Sequence, residues 1–122
     1  MAYYNDYILR QIEDMAQVIG KAFFHKKTDA ILEFDAQGNV LASGLLYRRM
    51  TDLVGQQRIG RAEDLLFETL AEHTAAEYFE VALQFYADLQ RLSDETLLRG
   101  GFSRQEITDG LAEIQAMLNE QQ

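Results

Sequence analysis

His73 is the imidazole best placed for chemistry in this chain, with Glu72 beside it, Glu68 about a turn earlier and Glu77 about a turn later. A carboxylate–histidine cluster can hold a metal ion or move protons. Metal sites inside helical bundles use a Glu-x-x-His motif on each of two helices, and this one cluster has a different spacing. A histidine that closes a helix also faces the negative end of the dipole, which is the simpler role for His73. His25, beside Lys26 and Lys27, reads as an exposed helix end. The acidic series Glu63, Asp64, Glu68, Glu72, Glu77 and Glu80 reads mostly as the solvated faces of two amphipathic helices. Gly55 and Gly60 lack the Gly-Lys-Ser/Thr that a phosphate loop needs. Ser43, Ser93 and Ser103 stand where helix caps are needed, without a nucleophile-elbow context. No catalytic residue, metal ligand or cofactor is therefore assigned.

Binding residues stand out more clearly. Arg48, Arg49, Arg58 and Arg61 are the one basic concentration in an acidic stretch. Arginine grips carboxylates and phosphates, but internal pairing with the abundant Glu and Asp is the competing reading. Tyr78, Phe79, Phe85 and Tyr86 fall at helical spacing. They form either plain core or the lining of a groove, with the Tyr78 and Tyr86 hydroxyls expected at a groove edge. Tyr3, Tyr4 and Tyr7 are candidates for contact with another chain, since tyrosine and arginine are enriched at interface hot spots. The selected partner-binding residues are Arg48, Arg49, Tyr78 and Tyr86 around a groove, with Tyr3 and Tyr7 on the first helix.

Composition bounds the elements that carry these residues. The chain has 122 residues, the size of one domain, and 48% of them are apolar, enough for a core without staples. It has no cysteine, so disulfides, thiolate metal sites and cysteine nucleophiles are excluded. The first residues, MAYYNDYILR, are too polar for a signal peptide, and no apolar run approaches the ~18 residues of a membrane span, so a cytoplasmic protein is expected. The absence of proline suits a helix-rich chain. A net charge of −9 argues against nucleic acid as partner. That charge is uneven: residues 1–27 are near neutral and the rest carries the acid.

Periodicity then supplies the elements. Ile8, Ile12, Met15, Ile19 and Phe23 place a helix over about 5–26, with Asn5 or Asp6 as cap and a second apolar face of Tyr3, Tyr7, Leu9 and Val18. That face either sits between neighbouring helices or contacts another chain. Residues 28–43 read as a connecting loop, with a hairpin about Gln37–Asn39 as the alternative. Ser43 caps a helix from Gly44 to about Gln56, with Leu46, Met50, Leu53 and Val54 inward, and GQQRIG turns it into a second helix over about 60–73. Ile59 is expected to plug into the core at that corner. The widest apolar stripe follows, Tyr78 to Leu92, which predicts the most buried helix. Thr74-x-x-Glu77 fits a capping box at its start. Ser93 opens a short helical segment stopped by Gly100–Gly101, and Ser103-x-x-Glu106 opens a last helix with Ile107, Leu111, Ile114 and Leu118 on one face. Residues 119–122 are a frayed tail.

The short turn Gly55–Gly60, the residues Ala62 and Leu66, and then Tyr78, Ala82, Leu83 and Tyr86 resemble the tetratricopeptide class of helical repeats. The tryptophan, first-helix glycine and closing proline of that class are missing, and two degenerate pairs are fewer than a solenoid normally uses. The segments DYILRQIEDMAQVIGKAFF, AEDLLFETL and FSRQEITDGLAEI also look like a group of small uncharacterised proteins from Gram-positive bacteria, which resembles a domain-of-unknown-function family. That resemblance implies a helical fold and supplies no catalytic residues.

The expectation is an all-α single domain over 1–122: an N-terminal capping helix, a connecting loop, and two antiparallel helix hairpins over 44–118 with degenerate tetratricopeptide-like packing, about five helices in all. Its expected function is non-enzymatic, receiving a helix or peptide of a protein partner in a groove between helix pairs. The alternatives are a small-molecule binder or small enzyme with a pocket near His73, and a self-associating homodimer.

Overall fold

The computed structural model describes residues 2–22 and 42–121, with side chains described for 7–19 and 42–121. These residues form six helices: α1 (Ala2–Ala22), α2 (Ala42–Gly55), α3 (Ile59–Glu72), α4 (Ala76–Gln90), α5 (Asp94–Arg99) and α6 (Arg104–Asn119). No strand occurs among them, so the all-α class stands. The short α5 is the Ser93–Gly100 segment expected between the last two long helices. Lys26, Lys27, His25 and the loop-or-hairpin alternative at 28–41 lie outside the described residues. No described helix is long and apolar enough to cross a membrane.

α4 is the centre of the molecule. It packs against α1, α2, α3 and α6. Ten of its fifteen residues are buried, including Phe79, Val81, Leu83, Phe85, Tyr86 and Leu89. A helix covered on so many sides must be apolar around most of its circumference, as the stripe from Tyr78 to Leu92 is. The other helices contribute one face each: Ile8, Met15 and Ile19 from α1, Leu46 and Met50 from α2, Ala62, Leu66 and Leu70 from α3, and Ile107, Leu111, Ile114 and Leu118 from α6. Ile59, the first residue of α3, is buried at the corner as expected.

The helix ends show where local signals succeed and where they fail. Ser93 accepts a hydrogen bond from the Thr96 amide at 3.1 Å, and Ser103 accepts one from the Glu106 amide at 3.2 Å. Both are serine caps read correctly from sequence. The expected box at Thr74 does not form. The Thr74 hydroxyl instead donates to the Leu70 carbonyl at 3.0 Å, closing α3, and Ala75 begins α4 without a side-chain cap. Three residues between the helices leave this hydroxyl able to reach backward, where an unsatisfied carbonyl of α3 waits. Ser43 is likewise not a cap, because α2 starts at Ala42 and Ser43 is buried within it. Asn5 and Asp6 lie inside α1 rather than before it.

The α2–α3 turn ends in a Schellman motif: the Arg58 amide donates to the Leu53 carbonyl at 2.9 Å and the Gln57 amide to Val54 at 3.0 Å. The residue with positive φ there is Gln57, at 63°, and not either flanking glycine. The same motif ends α5, with Gly101 at φ 73° and the Phe102 amide donating to the Leu97 carbonyl. Arg104 then ties three elements together. Its guanidinium donates to the carbonyls of Gln90 and Leu92, at 3.0 and 2.5 Å, and to the Asp94 carboxylate at 2.9 Å. The Gln90 carbonyl is an orphan acceptor at the end of α4 and that of Leu92 lies in the turn just after it, so the first residue of α6 closes the central helix.

Candidate docking site

The inward stripes of α2 and α3 leave a second, outward set of positions. On α3 the core takes Ala62, Leu66 and Leu70. Arg61, Leu65 and Thr69, spaced four apart, therefore run along one flank. On α2 the core takes Leu46 and Met50, and Leu45, Arg48, Arg49 and Asp52 lie beside it. These two flanks enclose an open concavity of about 420 Å³, lined by Ala42, Leu45, Leu46, Arg48, Arg49, Asp52, Leu65, Thr69 and, from the first turn of α4, Tyr78. A second concavity of about 320 Å³ shares Arg49, Asp52 and Leu65 with it and adds Leu53, Gln56, Arg58 and Arg61 toward the α2–α3 turn. The two form one trough along α2. Leu45 stands at its edge, 50% exposed.

Arg48, Arg49 and Tyr78 are thus brought together, although Tyr78 is about thirty residues away in sequence. Tyr78 is half-buried, and its ring centroid lies 6.1 Å from that of His73. Tyr86 is not at this rim. It is 0% exposed, and its hydroxyl donates to Glu63 Oε2 at 2.5 Å. Eight residues of helix separate it from Tyr78, about 80° around the axis, enough to turn it into the core on the side of α3 and α6. Tyr7 is 68% exposed on α1, and Tyr3 lies in the same helix. The arginines do not follow the internal-pairing alternative as a group. Arg61 pairs with Glu68 at 3.5 Å, but Arg48, Arg49 and Arg58 make no ion pair among the described residues.

Two polar arrangements were not legible in the sequence. Tyr86 and Glu63 form one. Burial pushes the Glu63 carboxyl above the usual carboxylate range, the Tyr86 hydrogen bond acts the other way, and Glu106, Asp64 and Asp109 raise it further. The Tyr86 hydroxyl is raised by burial and by Glu63. Beside them an open concavity of about 450 Å³ is lined by Glu63, Phe67, Glu106, Asp109, Gly110 and Glu113. No group of three or more His, Asp or Glu among the described residues is placed to hold a metal ion. The signal that could have located this contact is Gly110 in the middle of an otherwise strong helix, the mark of a close approach. The second arrangement is Tyr47, which donates to Asp88 Oδ2 at 2.5 Å while Gln84 donates to Oδ1 at 2.8 Å. Burial, then the bond to Asp88, pushes the Tyr47 hydroxyl up to about 12.

His73 is the exposed C-cap of α3, its amide donating to Thr69 at 2.8 Å. None of the concavities described is lined by it.

The chain is matched over residues 2–119 by a family model described as a family of unknown function (DUF6483). The chain belongs to that family. No curated protein and no solved structure matches it. The DUF6483 description assigns no activity.

Proposed function

We propose that this chain is a non-enzymatic, cytoplasmic docking module that receives a helix or peptide of a partner protein in the trough along α2 and α3. In this reading the two helix pairs are degenerate tetratricopeptide-like hairpins, with α1 as cap. One observation carries it: Arg48, Arg49 and Tyr78, residue types favoured at binding hot spots, line a single open concavity beside the half-exposed Leu45. An arginine or tyrosine at such a place offers hydrogen bonds at the rim and apolar area at the floor.

The test is site-specific photo-crosslinking in cells. A photoreactive amino acid at Leu45 should capture a partner that the same residue at exposed Ala112 of α6 does not. Capture should be lost when Arg48→Glu, Arg49→Glu and Tyr78→Ala are combined. Identical capture from both positions, or capture indifferent to the three substitutions, would show that the trough is not the docking surface. A homodimer through the outer face of α1 is the second reading, favoured by the exposure of Tyr7. A monomeric mass at high protein concentration would rule it out.

A further inference from the structure

Residues 42–121 carry seven basic side chains, all of them arginine. Four have a carboxylate partner: Arg61 with Glu68, Arg91 with Asp88, Arg99 with Glu95 and Arg104 with Asp94. The other three are Arg48, Arg49 and Arg58, and all three line the one trough. These three arginines against the one carboxylate of Asp52 leave the trough net positive on a chain of net charge −9. Their distribution along the trough is also uneven. The end near Tyr78 adds Leu45, Leu46 and Arg48 to the shared Arg49, Asp52 and Leu65, whereas the end near the α2–α3 turn adds Arg58 and Arg61 with Leu53 and Gln56.

We infer that the occupant is an acidic segment of another protein, with an apolar anchor at one end and carboxylates at the other. This rests on the docking reading above and adds its chemistry. The anchor lies over Leu45, Leu65 and Tyr78, and the carboxylates meet Arg49 and Arg58, with Arg48 on the anchor's side of the trough. Arginine holds a carboxylate through two parallel N–H donors, a geometry lysine does not offer. The trough follows the 14 residues of α2, about 21 Å, the length of a four-turn helix. Along the whole trough Arg48, Arg49 and Arg58 outnumber the single carboxylate of Asp52 that is not paired with an arginine, which disfavours a basic segment.

The experiment is selection of a displayed random-peptide library, about 14 residues long to match that helix, on the full chain and on its Arg48→Glu/Arg49→Glu/Arg58→Glu variant. Peptides retained by the native chain should be enriched about threefold in Asp and Glu, with Leu, Phe or Ile gathered at one end. The best of them should bind the triple variant at least tenfold more weakly, a loss of about 1.4 kcal/mol, and should weaken as salt screens the arginines. Trough-dependent peptides without an acidic excess would overturn this inference and leave the docking reading standing. Failure of any peptide to depend on the three arginines would sink both. Displacement of retained peptides by inorganic pyrophosphate, with no acidic excess among them, would assign the arginines to a phosphorylated ligand instead. Self-association of the native chain that the triple variant abolishes would assign them to a second copy.

Discussion

Gln57 sits at φ 63°, a left-handed conformation that disfavours a Cβ, in the Schellman motif that ends α2. Glycine removes that strain but gives up more freedom on folding, so Gln57→Gly should stabilise the chain by about 0.5 kcal/mol in thermal melts. A loss of stability would contradict the turn geometry. Glu63 makes a second single-residue test. A carboxyl whose folded pKa is raised binds its proton more tightly in the folded chain than in the unfolded one. Its contribution is present below the ordinary value of 4.5 and is lost as pH rises through the raised value. Glu63→Gln keeps an oxygen for the Tyr86 hydroxyl and removes the charge. Its stability gain over the native chain should therefore grow in denaturant unfolding as pH rises above the ordinary value of 4.5. A gain that is flat with pH would mean that Glu63 is solvated as an ordinary carboxylate.

Among the elements, the contact of α6 with α4 is the tightest constraint on a single residue. A Cβ added at Gly110 would clash with the phenol end of Tyr86, closest to its hydroxyl oxygen and then to Cζ and Cε1. Tyr86 is fully buried and held by Glu63, so it has nowhere to swing. Gly110→Ala should thus destabilise by about 1–2 kcal/mol, overpacking outweighing a helix-propensity gain of about 1. Gly60, also helical, has nothing within 4 Å of such a Cβ. Gly60→Ala should shift stability the other way, by up to about 1 kcal/mol. Calorimetry on the pair checks both signs, and equal shifts would mean that α6 does not approach α4 as described.

At the scale of the whole molecule, charge separates stability from binding. Arg48, Arg49 and Arg58 are exposed and unpaired among the described residues, so reversing all three should leave the unfolding free energy nearly unchanged, within about 0.5 kcal/mol for each. The same change should weaken binding in the trough at least tenfold. A variant that unfolds would show these arginines to be structural. The arginine that holds the fold is Arg104, which closes α4 from the start of α6.

The all-α class, the buried α4, the inward face of α6 and the serine caps at Ser93 and Ser103 were legible in the sequence. Helical periodicity and capping are properties of neighbouring residues, and no distant contact is needed to read them. The stripe from Tyr78 to Leu92 already contained the information that this helix is covered on most sides. Tertiary structure alone decided which of its tyrosines is available. Tyr78 and Tyr86 look alike in sequence, yet one lines the trough and the other is enclosed by α3 and α6. It also decided that Arg61 finds a carboxylate while Arg48, Arg49 and Arg58 do not, and that Thr74 closes α3 instead of opening α4. Each of these depends on which helix lies opposite and at what rotation. Residues far apart in the chain set that together, so no window of the sequence displays it.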